Sequence, residues 1–75
     1  MDRAVLEFDF ARADEHVVQG MQHIARQHAI IKKLERRGHD VSAAMNFLDL
    51  LQQTQALHML HRDRLACALE EMRGN

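Results

Sequence analysis

The sequence predicts an all-α fold: an antiparallel two-helix hairpin that dimerises into a four-helix bundle. Three observations predict it. The 75 residues contain no proline, and glycine stands only at Gly20, Gly38 and Gly74, so helix breakers are scarce. Ala, Leu, Gln, Glu, Arg and Met are abundant, and all favour helix. Apolar residues recur at steps of three and four, the repeat of one helix face. No run alternates as a strand would.

The first helix is expected to start near Asp9 or Asp14 and to run to Arg37. Two apolar series run along it. One is Val17, Met21, Ile24, His28 and Ile31; the other is Phe10, Ala13, Val17, Gly20, Ile24, Gln27, Ile31 and Leu34. They share Val17, Ile24 and Ile31, which marks the centre of the buried face and places His28 on a core line. Asp9, Asp14 and Glu15 lie near the start, and Lys32, Lys33, Arg36 and Arg37 lie at the end. That polarity suits the helix dipole.

Gly38 follows the last periodic residue and suits the left-handed position that closes a helix. Asp40 or Ser42 can then cap the next helix through a side-chain oxygen. So short a link forces two neighbouring antiparallel helices. The second helix is expected from about Val41 to Met72 or Arg73, roughly 48 Å long. Leu48, Leu51, Leu65 and Leu69 can face the first helix. Leu50, Leu57 and Leu60, with Phe47 and Ile30, are the candidate dimer contacts outside that seam. Residues 1–8 either extend the first helix or form an arm that packs on a partner; residues 9–75 make the single hairpin domain.

Size calls for a partner, expected to be a second copy, with a different protein on the same stripe as the alternative. Below ~70–80 residues one core rarely supplies more than about 3–5 kcal/mol. A lone cysteine, Cys67, excludes an internal disulfide framework and is expected to be a small core or seam residue in a reducing cytoplasm. Neither an export signal nor a membrane span of ~20 apolar residues is expected.

Charge is near balance overall, −1 with histidine neutral, which argues against a general polyanion binder. The 47% apolar content argues against disorder. The balance conceals a polarity. Residues 1–15 carry two basic and five acidic groups, residues 16–39 five basic and one acidic, and residues 40–75 three basic and five acidic. The hairpin tip is therefore basic and the open end acidic. An antiparallel dimer sets each tip beside the other copy's open end.

Two clusters could carry chemistry. Lys32, Lys33, Arg36, Arg37 and His39 form a basic tip that could contact nucleic acid or a larger protein, although helix C-termini attract such residues anyway. His58 and His61 stand three apart on one helix face. Pairing the helices about Gly38–His39 sets Val17 near His61 and Gly20 near His58, and brings His16 toward His61. A zinc site of His16, His58 and His61 is conceivable; no other cofactor is expected. Gln55 and Arg62 share a line with Leu48 and Leu69 and could fix the register, with Arg62 either paired to Asp14 or Glu15 or snorkelling to solvent. There is no glycine-rich phosphate loop and no serine–histidine–aspartate set, so a non-enzymatic interaction or assembly module is expected, with no membrane partner.

The stretches His23-Ile24-Ala25-Arg26-Gln27, Ile30-Ile31, Leu34, Gly38-His39-Asp40, Leu57-His58 and His61-Arg62-Asp63-Arg64-Leu65 resemble small uncharacterised helical-hairpin proteins of bacterial genomes. The resemblance spans about residues 16–69. It implies a bacterial cytoplasmic protein and carries no activity with it.

Overall fold

The computed structural model describes residues 2–74. Two α-helices fill it: α1 (Arg3–Arg36) and α2 (Ser42–Gly74). They pack side by side as a hairpin 58 Å long and about 15 Å across. No helix among the described residues is long and apolar enough to cross a membrane.

α1 begins at Arg3, not at Asp9 or Asp14. Asp2 caps it, its side chain accepting from the Ala4 N–H at 3.0 Å. Residues 3–8 are therefore helix and not an arm; Met1 lies outside the described residues. The reason is Leu6, one turn before Phe10, which is buried against α2 and continues the core line. Arg3 and Glu7 add an ion pair one turn apart.

The turn forms as the sequence implies. Gly38 takes φ +73°, where a side chain would be strained. The N–H of Gly38 donates to the Glu35 carbonyl and that of His39 reaches back to Leu34, each at 3.0 Å, which satisfies the last carbonyls of α1. Asp40 then accepts from both the N–H and the hydroxyl of Ser42. These bonds hold its carboxyl below the ordinary value, the backbone bond first and the hydroxyl second.

The seam follows one of the two series. Leu6, Ala13, Val17, Gln27 and Ile31 are buried, and Phe10, Gly20, Ile24 and Leu34 half-buried. Met21 and His28, which belong to the other series alone, are exposed. His28 is thus not a core residue: α2 covers only a narrow stripe, and a second partner would be needed to reach that line. From Val41, just before α2, the inward line runs through Ala44, Leu48, Leu51, Gln55, His58, Arg62, Leu65 and Leu69, in the three-four steps of a heptad.

Two buried glutamines pin this seam in reciprocal fashion. Gln27 of α1 donates to the Ala44 carbonyl of α2, and Gln55 of α2 donates to the Val17 carbonyl of α1, each at 2.8 Å. Gln55 lies against Gly20, where a Cβ would overlap its carboxamide. The register therefore pairs Gly20 with Gln55, one helical turn from the pairing with His58 that the loop alone suggested. The shift arises because only a glycine leaves room for the amide.

The hairpin is poorly closed. Among the described residues no side chain is fully buried, and the accessible surface is 5858 Å². A compact monomer of this mass exposes about 4,700 Å².

Candidate functional site

Four of the six histidines gather on one face of the hairpin. His16 and His23 stand seven apart on α1, so they share a line. His58 lies half-buried on the facing α2. All three line one groove, with Gly20, Thr54 and Gln55 at its floor and wall. The rings of His16 and His58 are 5.5 Å apart between centroids and tilted by 48°. His61 lies one turn further toward the open end and shares a second groove with His16, Phe8 and Arg12.

The sequence paired His16 with His61; the structure places His16 beside His58. The cause is the one-turn register shift at Gly20. Among the described residues, no three His, Cys, Asp or Glu side chains sit together as a metal cage, so His16, His58 and His61 do not converge within one chain. His23, overlooked in the sequence, lines the same groove as the tilted pair. Its heptad spacing from His16 was the available signal.

Gln55 is the most unusual polar group near this groove. It is 7% exposed, and its Oε1 has no hydrogen-bond partner among the described residues. A buried acceptor left in that state is costly.

The same face carries the apolar strip. Ile30 stands seven residues after His23, on one line of α1. Leu50 and Leu57 flank Thr54 on α2, four residues before it and three after. Leu50 is 58% and Leu57 67% exposed, and Phe47 and Ile30 are exposed as well. Leu60 is exposed but lies on the outer side of α2, beside Asp63, Arg64 and Cys67. Cys67 itself is exposed; it is not a seam residue, because the narrow seam ends two positions from it at Leu65 and Leu69.

On the opposite face, Met21, Ala25 and Met59 line a further apolar groove. There Arg62 reaches Asp14 at 3.8 Å and Asp63 at 3.1 Å, the ion pair expected of Arg62. These charges interrupt that face at mid-height.

At the tip, Lys32, Lys33, Arg36, Arg37 and His39 are all exposed. None takes part in an ion pair among the described residues. They stand around the end of α1 and the turn that follows it.

Comparison with protein-family models, curated proteins and solved structures finds no match to the chain.

Proposed function

We propose that this chain is a non-enzymatic helical assembly module that works as a homodimer, two hairpins packing antiparallel into a four-helix bundle. One observation carries the reading: the hairpin exposes roughly 1,100 Å² more than a compact chain of its mass. A standard interface removes about 800 Å² from each partner, so one copy of the same face covers most of the excess. The covering residues are Ile30, Phe47, Leu50 and Leu57, with Leu60 at the margin. A twofold arrangement of like surfaces is the commonest way to close such a face.

Charge sets the direction. With tips at opposite ends, the basic end of each α1 lies along the acidic start of the other. With tips together, like charges meet. The free thiol of Cys67 fits a reducing compartment, the cytoplasm.

The test is a distance. A spin label at residue 39, in a His39→Cys, Cys67→Ser chain, lies about 29 Å from the middle of the hairpin. Antiparallel copies then hold the labels about 55–60 Å apart. A short label-to-label distance refutes the alignment, and a monomer at all concentrations by sedimentation refutes the module.

The five unpaired basic and histidine side chains of the tip favour a second reading, a small regulator that grips nucleic acid or a larger protein there. Binding that weakens steeply with salt and is lost in Arg36→Ala, Arg37→Ala would carry it.

A further inference from the structure

The tilted pair of His16 and His58 has the ring separation of half a metal site. Two imidazoles bound tetrahedrally to one zinc ion, at Zn–N distances of about 2.0–2.1 Å, have ring centroids about 5 Å apart. His16 and His58 stand at 5.5 Å. Gln55 lines the same groove, and its Oε1, without a partner among the described residues, is buried against Gly20. A ligating imidazole usually gives its second N–H to such a carbonyl oxygen. Within one chain a third ligand is missing.

The antiparallel homodimer supplies it, and the inference rests on that reading. The middle of α1 falls between Gln19 and Gly20, at the level of Gln55. A twofold axis that reverses the tips crosses the interface there and sets α1 against the other α1. His16 lies about 5 Å before the middle and His23 about 5 Å after it. Reversal therefore carries the partner's His23 to the level of His16. Both residues stand on the line of α1 that faces the strip of Ile30, Phe47, Leu50 and Leu57.

We propose that the dimer holds two equivalent divalent transition-metal sites, each made of His16 and His58 from one copy and His23 from the other, with zinc the fitting ion. Imidazole nitrogens select zinc and its neighbours over magnesium or calcium, which take oxygen ligands. Three nitrogens leave a fourth position for water. Metal binding then favours the dimer by mass action, because neither copy alone completes the site.

Complementation tests it. The full-length chain, stripped with a chelator and titrated with zinc chloride, is read by native mass spectrometry. The wild type is expected to take two zinc ions per dimer. His16→Ala and His23→Ala, both at exposed positions, each lose the tight site, with affinity lower by at least about 100-fold, the upper range for removing even an outer-shell partner. Mixing the two variants restores one complete site in every mixed dimer, since the intact His16 and the intact His23 lie on different copies. Restored zinc in mixed dimers alone supports the proposal whether or not the separate variants dimerise. A mixture that binds no better than its components overturns it, as does tight binding retained by either variant. A wild-type dimer without zinc overturns this site and leaves the assembly reading standing; a monomer with and without zinc removes both.

Discussion

Replacing Gly20 by alanine sets two known effects against each other at the middle of the seam. In an exposed helix, glycine to alanine stabilises by about 1 kcal/mol. Here the new Cβ would occupy the place of the Gln55 carboxamide. That amide is buried and donates to the Val17 carbonyl at 2.8 Å. Displacing it forfeits about 1 kcal/mol of hydrogen bond and strands a buried polar group at about 2 kcal/mol. The net expectation is a loss of about 2 kcal/mol. For a chain of this size that lowers Tm by about 8–16 °C. In a Gln55→Ala background the space is free, and the same substitution is expected to raise stability by about 1 kcal/mol. The two sites therefore couple by about 3 kcal/mol, the upper end for residues in contact. The assay is thermal and urea unfolding of the four chains, followed by circular dichroism at one protein concentration, because association shifts apparent stability. A Gly20→Ala chain more stable than wild type would refute the reasoning. It would mean that the amide swings into the histidine groove without penalty, and that glycine is not what fixes the register.

Other outcomes follow from single features. Leu57→Glu on the strip is expected to convert dimer to monomer in sedimentation, while Met59→Glu on the opposite face leaves the mass unchanged; the reverse result would move the interface to the methionine groove. Asp40 is held below its ordinary value of 3.8 by the bonds from Ser42, so its contribution is complete above pH 3.8 and lost as pH falls from there through the folded value. Protection of the Ser42 amide, the slowing of its exchange relative to an unstructured amide at the same pH, should fall over that acid range in the wild type, and should be low at every pH in Asp40→Ala. Cys67, being exposed, should react with a thiol reagent in the native state as fast as after unfolding; a protected thiol would place it in an interface.

Helices and turn were legible because their signals are local. Gly38 and Asp40 act within a few residues of themselves, and so do Lys33 and Arg36 in the last turn of α1. The start of α1 was less legible. Asp9 and Asp14 pointed to the start because acids favour a helix N-terminus, but Asp2 caps the helix and Leu6 supplies the burial that extends it backward. Likewise, both apolar series of α1 have helical spacing. Only the width of the covering partner decides between them, and one helix covers too little to bury Met21 and His28.

Register was the part that sequence periodicity could not supply. A heptad seam slides by one turn with little change in apolar contact, so the loop alone allowed Gly20 to face His58. The decision rests on a fit between a missing side chain and a carboxamide, repeated in the opposite sense where Gln27 reaches the Ala44 carbonyl. Buried polar groups of this kind add little net stability, and here they sit in a seam already short of apolar contact. Their value lies in excluding the neighbouring registers, in which each amide would be buried without an acceptor. That one-turn choice also determines which imidazole stands beside His16. The histidine pair is therefore a consequence of the glutamine locks. A Gln55 variant that slipped by one turn would separate His16 from His58, even though neither histidine had been altered.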